Sequence, residues 1–244
     1  EETNRQLIIA TEKAKESSKM KSNFIKQISH EIRTPLNILS GFSQILTTDG
    51  VELDDNEKAK ISQDVIENTN RITSLVNKML ELSDASSRNV IERNNQVTAV
   101  KIAGDAVAAT NIADTRGVEF ELSIEPEAEN VSVMTNQNSA VRALSLILDN
   151  ARKFTSKSDD KKVKLCVKAT PETIELVVED NGIGVPPEEA EHIFEEFVQL
   201  DEFYEGTGIG LTIARSLARR MGGDVTLDTS YTPGARFILS LPRN

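Results

Sequence analysis

Apolar residues in the first part of the chain recur in alternating steps of three and four. Leu7, Ala10, Ala14, Ser17, Lys21, Phe24, Ile28, Ile32, Pro35, Leu39, Phe42 and Leu46 fall on one such line, the heptad spacing that keeps one face of a long helix apolar. The line is weak at Ser17 and Lys21 and predicts a kink at Pro35, whose nitrogen has no hydrogen to donate. The stretch TTDG, ending at Gly50, breaks the pattern, and LDDNE supplies capping residues for a restart. A second line runs through Ile61, Val65, Asn68, Ile72, Leu75, Met79 and Leu82. Two long amphipathic helices with a short connection predict an antiparallel hairpin. Such a hairpin covers each apolar stripe only in part. The pattern therefore predicts a homodimer closing a four-helix bundle, the alternative being a monomeric hairpin packed on the rest of the chain.

From about residue 97 the rhythm changes. VEFELSIE, KVKLCVKAT, ETIELVVED, VTLDT and ARFILSL alternate as strands do, while NSAVRALSLILDNARKF and GIGLTIARSLARRMGG read as helices. Gly222 and Gly223 stop the second helix, and TPG at 232–234 turns the last two strands. The polar, aperiodic SSRNVIERNNQ suits a hinge. The expected organisation is a helical lead-in and hairpin over 1–90, a hinge over 91–96 and an α/β domain over 97–244.

Composition narrows the classes. The 244 residues are 38% apolar and 4% aromatic, enough for a core. No run of eighteen apolar residues exists and the start EETNRQ is not a signal peptide, so no membrane contact is expected of this stretch. A sensory or membrane-anchored part upstream remains compatible with that. A net charge of −11 argues against nonspecific nucleic-acid binding, which depends on basic patches. The single cysteine, Cys166, lies in an alternating run and reads as a small buried apolar residue; a cytoplasmic, reducing setting is the expectation.

The candidate chemistry clusters in four places. In SHEIRTPLN, His30 falls about 200° around the helix from Ile28, away from the apolar line, which weighs against a buried structural histidine. Glu31 is placed to hydrogen-bond the imidazole and Thr34 stands one turn beyond on the same face, able to hold a water. The other histidine, His192 in EEAEHIFEEF, reads as a surface helix residue. The loop DNGIG, Asp180 to Gly184, follows a strand, and Asp180 is able to accept from an exocyclic amine such as adenine's. EGTGIGLTIA puts Gly206, Gly208 and Gly210 before a helix, an arrangement that favours phosphate. In LILDNARKFT, Leu146, Asn150 and Lys153 share one stripe, where Asn150 offers an oxygen to Mg²⁺ and Lys153 a cation to phosphate.

Taken together these stretches resemble the catalytic core of bacterial sensor histidine kinases, of the class whose phosphoacceptor reads H-E-x-x-T-P. SHEIRTPLN resembles the phosphoacceptor box, LILDNARKFT the asparagine box and VEDNGIGV the first glycine box. IFEEFVQLD resembles the phenylalanine box and GTGIGLTIA the second glycine box, all in family order. The resemblance implies a dimerisation and phosphotransfer hairpin, then an ATP-binding α/β two-layer sandwich of the Bergerat type shared with Hsp90 and gyrase. It implies phosphorylation of His30 from ATP and Mg²⁺, with Glu31 orienting and deprotonating the ring and Thr34 serving dephosphorylation of a partner. That partner would be a response-regulator receiver domain. Asn150 would hold Mg²⁺, Lys153 touch phosphate and Phe154 line the adenine pocket. Asp180, Gly182 and Gly184 would form the adenine loop, and Gly206, Thr207, Gly208 and Gly210 would wrap the phosphates. Two departures stand out. Leu146 occupies a place where the family usually has a second Asn, and VQLDEFYE carries no Lys or Arg. Slow turnover, a nucleotide-binding scaffold that transfers nothing, or an ATPase without histidine transfer are the rival readings.

Overall fold

The structure, a computed structural model, describes residues 2–48, 53–85, 89–155, 160–198 and 208–243. The chain divides into two compact units, 1–83 and 84–244.

The first unit is helical. α1 spans Glu2–Thr47 and α2 spans Asp55–Ala85. The restart is a reciprocal cap: Asp54 Oδ1 accepts from the Glu57 N–H at 2.7 Å, and Glu57 Oε2 accepts from the Asp54 N–H at 2.9 Å. Phe24, Ile28 and Pro35 on α1 are buried, as are Leu75 and Leu82 on α2, all members of the two predicted lines. Their spacing of four and seven keeps them on one face of each helix. Lys21 and Leu46, at the ends of the first line, are exposed, and the side chains of Leu7, Ala10, Ala14 and Ser17 lie outside the described residues. α1 continues through Pro35 instead of ending there. A second apolar set stays open to solvent, including Ile25, Leu36, Ile66 and Leu80.

The second unit is α/β. Its elements are β1 (Asn95–Thr98), α3 (Ala99–Thr110), β2 (Val118–Ile124), β3 (Ser132–Thr135), α4 (Gln137–Phe154), β4 (Lys161–Ala169), β5 (Thr173–Asp180), α5 (Gly210–Arg220), β6 (Asp224–Leu227) and β7 (Ala235–Pro242). Five strands form one sheet in the order β2-β4-β5-β7-β6, parallel only between β2 and β4. A parallel pair requires a crossover, and α4 lies within it. β1 and β3 pair separately as a short antiparallel ribbon; Asn95 and Gln96, placed in the hinge by composition, open β1.

Alternation sorts the sheet into two faces. Val163, Leu165, Val167, Ile174, Leu176, Val178, Phe237 and Leu239 point to the side covered by α3, α4 and α5 and are almost fully buried. Each such side chain contributes about 1.5–3 kcal/mol relative to exposure. Asn136 caps α4 by accepting from the Ser139 N–H, and Thr98 caps α3 by accepting from the Lys101 N–H. α5 ends where Gly222 adopts φ +86°. The other sheet face is charged: Glu121, Lys164, Glu179 and Arg236 stand in register across β2, β4, β5 and β7. Lys164 Nζ reaches Glu121 at 2.8 Å, and Arg236 joins Glu179 at 2.8 Å and Asp228 at 3.0 Å. Lys162 pairs with Glu119 and Lys168 with Glu125 beside them. Cys166 lies in a strand, as expected, but its even register puts it on this charged face, where it is nevertheless buried.

Candidate functional site

Asp180 ends β5 and is only 3% exposed. Its Oδ1 accepts from the Gly182 N–H at 2.9 Å and the Ala235 N–H at 3.3 Å. Burial pushes its pKa up to about 6, against the pull of those two N–H donors. Oδ2 carries no hydrogen bond from any described residue. Asn181 anchors the loop behind it: its Oδ1 accepts from the Lys162 N–H at 2.8 Å, and its Nδ2 donates to the Asp160 carbonyl.

Glycine is required at this loop by contact. A Cβ at Gly182 would lie 2.6 Å from the Phe154 carbonyl oxygen, so the end of α4 is pressed against the loop. Gly184 has φ +71° and abuts the Gly234 carbonyl. At the other end of the same helix stripe, Leu146 Cδ2 lies 3.9 Å from where a Cβ at Gly210 would stand. Leu146 and Phe154 are eight residues apart, about 12 Å along the helix, and Asn150 falls midway, half-buried on the same stripe. α4 therefore bridges the aspartate loop and the glycine end of α5. Lys153 Nζ sits 4.8 Å from the Phe154 ring centre. Gly208, with φ +65°, leads into α5, whose first N–H groups have no partner within the helix. Gly206 and Thr207, and most of VQLDEFYE, lie outside the described residues.

A buried carboxylate with one oxygen already saturated, a glycine loop without room for side chains and a glycine helix end beside the other end of the α4 stripe fit an adenine nucleotide. Sequence reasoning missed Gly234 and the Ala235 N–H; TPG read only as a turn, and nothing local marks it as the wall behind Asp180. His192 is not in an α-helix: short 3₁₀ turns at Pro187–Glu189 and His192–Phe194 replace it, and its Nδ1 lies 2.8 Å from Glu189. The two prolines and the brevity of the segment explain the tighter winding.

In the first unit His30 is exposed while Ile28 is 3% exposed, as the helical register requires. Thr34 Oγ1 donates to the His30 carbonyl at 3.2 Å, close to the backbone bond that Pro35 interrupts. Glu31, the next residue on the helix, is half-buried.

The sequence family described as "His Kinase A (phospho-acceptor) domain" matches residues 20–88. The one described as "Histidine kinase-, DNA gyrase B-, and HSP90-like ATPase" matches 135–244. The chain is 27% identical over 241 residues to the signal transduction histidine-protein kinase BarA of Escherichia coli K12, covering 96% of this chain and 26% of BarA. It is 28% identical over 240 residues to the non-motile and phage-resistance protein of Caulobacter vibrioides, covering 94% and 28%. It is 25% identical over 229 residues to the sensor protein SrrB of Staphylococcus aureus, covering 92% and 38%. The chain thus spans well under half the length of these relatives. Full-length ShkA in complex with AMPPNP superposes with a TM-score of 0.65 at 26% identity, covering 91% of this chain and 45% of ShkA. Histidine kinase ThkA in complex with the response regulator protein TrrA shares the fold, with a TM-score of 0.64 at 20% identity over 95% of this chain and 66% of that one.

Helical phosphoacceptor region and ATPase-type sandwich together define a protein histidine kinase. The chain belongs to the sensor histidine kinases, and what it spans is their catalytic core, with the ATP-binding domain as its second unit. No helix among the described residues is long and apolar enough to cross a membrane.

Proposed function

We propose that this core phosphorylates its own His30 from ATP and hands the phosphoryl group to an aspartate on a response-regulator receiver domain. The observation that carries the reading is the exposed His30 in the phosphoacceptor stretch of a chain that also holds the buried Asp180 with one oxygen open. Asp180 Oδ2 would accept from the adenine amine, and Phe154 would line the base. Gly182 and Gly184 keep that loop free of side chains, and Lys153 would face phosphate. Gly206, Thr207, Gly208 and Gly210 would present backbone N–H groups to the phosphates. Mg²⁺ would supply charge neutralisation at the phosphates. Asn150, half-buried midway along the α4 stripe, would offer its side-chain oxygen as the protein ligand.

In the transfer, His30 Nε2 forms a bond to the γ-phosphorus as the bond to the bridging oxygen breaks and ADP leaves. The Nδ1 proton passes to Glu31, and catalysis is mostly positioning and charge stabilisation. Thr34, whose hydroxyl hydrogen is engaged by the His30 carbonyl, keeps lone pairs to orient a water that would hydrolyse the regulator's aspartyl phosphate to inorganic phosphate. The open apolar stripe bearing Ile25, Leu36, Ile66 and Leu80 supports a homodimer in which a second hairpin completes a four-helix bundle. The relation of ThkA to TrrA supports the receiver-domain partner. A place on the cytoplasmic side, below a sensor part, suits this chemistry.

The test is incubation with γ-labelled ATP and Mg²⁺. Acid-labile, alkali-stable label on the protein that vanishes in His30→Gln is expected. The burial of Leu146 against Gly210 favours one second reading, a nucleotide-binding scaffold; ATP binding without label would select it. Free phosphate without protein label would select a plain ATPase.

A further inference from the structure

Arg215, in the middle of α5, takes no part in the chemistry above, yet it is only 8% exposed. A buried guanidinium needs partners for its charge, and this one draws them from two other segments. Its Nε donates to Asp224 Oδ1 at 2.9 Å, at the start of β6. Its Nη1 and Nη2 grip Glu191 at 2.7 and 3.3 Å, a two-point contact that lysine cannot reproduce. Its plane lies 4.3 Å from the ring centre of Phe194, a cation–π contact strengthened by the shielding from water. One turn earlier, Thr212 Oγ1 donates to the Glu195 carbonyl at 3.0 Å. Residues 191–195 are thus fastened to α5 by charge, ring and backbone together.

The chain of contacts continues to the nucleotide site. Phe194 meets Phe237 of β7 edge-on, with ring centres 6.3 Å apart and planes at 88°. Two residues before Phe237, the Ala235 N–H donates to Asp180. Five residues before Arg215, α5 begins at Gly210, facing Leu146. One guanidinium therefore ties the helix whose glycine end faces phosphate to the strand that braces the adenine aspartate.

We propose that Arg215 is a positioning residue of the nucleotide site, holding the start of α5 at a fixed distance from Asp180. The proposal rests on the ATP-binding reading of this site. Losing the tie lets the phosphate end drift while the base end keeps its own contacts, so ligands with and without phosphates respond differently.

The experiment measures binding of Mg·ADP and of adenosine by calorimetry to the full 244-residue chain, to Glu191→Ala and to Arg215→Lys. Glu191 is mostly exposed, so its truncation removes the two-point contact to Arg215 and weakens the tie without opening the core. Expected is at least a fivefold loss of ADP affinity in both variants, with adenosine affinity within twofold. Equal losses for both ligands would mark a merely structural role and overturn the proposal, as would unchanged ADP affinity. An unsubstituted chain that binds neither ligand would overturn the nucleotide reading itself, and this proposal with it.

Discussion

Gly234 is wedged against Asp180: a side-chain carbon at Gly234 would collide with the Asp180 carbonyl, and its φ of +97° is one that other residues avoid. The turn it forms also aims the Ala235 N–H at the Asp180 carboxylate. Gly234→Ala is expected to weaken ADP binding more than tenfold and to lower stability by about 1–3 kcal/mol. Calorimetric titration and thermal unfolding check the two effects separately.

Asp180 gives a pH signature. Its pKa is about 6 in the folded chain and 3.8 as a free side chain, so the folded form binds the proton more tightly. Stability from this group is therefore fully present below about pH 4 and is lost as pH rises through about 6, a difference of about 3 kcal/mol. Asp180→Asn keeps the acceptor for Gly182 and Ala235 and has no charge to bury. It is expected to melt higher than the parent at pH 7.5, with the gap closing toward pH 4. Nucleotide affinity runs the other way: the parent loses it as pH falls through 6 and the open oxygen is protonated, and the variant binds weakly throughout.

Leu146→Asn tests the apolar substitution at the start of the nucleotide stripe. The new amide would stand beside Gly210 and one turn from Asn150, adding a polar contact for phosphate or Mg²⁺. The initial rate of phosphohistidine formation is expected to rise several-fold. Losing a buried leucine costs about 2–4 kcal/mol, read as a lower melting temperature; an unchanged or reduced rate would show that Leu146 does not limit turnover.

What the sequence made legible follows from the scale of each signal. Helices of 46 and 31 residues repeat their pattern many times over, and the five strands of the main sheet alternate over their lengths. β1 and β3, four residues each, have no local stop signal beside them, and the ribbon they form went unread; β6, equally short, was legible because Gly222 and Gly223 mark its start. Gly182 and Asp180 announced themselves within five letters. Gly234, Ala235 and Arg215 did not, because their roles exist only once strands distant in sequence stand side by side. Arg215 in particular looks like any arginine on an amphipathic helix until Glu191, Asp224 and Phe194 converge on it.

Ile66 and Leu80 on α2 are 54% and 60% exposed in the isolated chain. If a second hairpin covers them, Leu80→Glu places a charge in the new interface and is expected to shift the protein from dimer to monomer. Light scattering across a concentration series measures that directly, and an unchanged dimer would place the interface elsewhere.

The charged rows on the open face of the sheet bear on how the protein behaves in crowded solution. β2 is an edge strand with Leu122 and Ile124 partly exposed, the kind of edge that invites a strand from another copy. Glu119, Glu121 and Glu125 line that margin and hold their lysines on the next strand inward. Two copies meeting margin to margin bring carboxylates together, with the counter-charges set one strand back. The ladder thus acts as insulation, and it thins in high salt, where this edge becomes the first place for copies of the chain to stick.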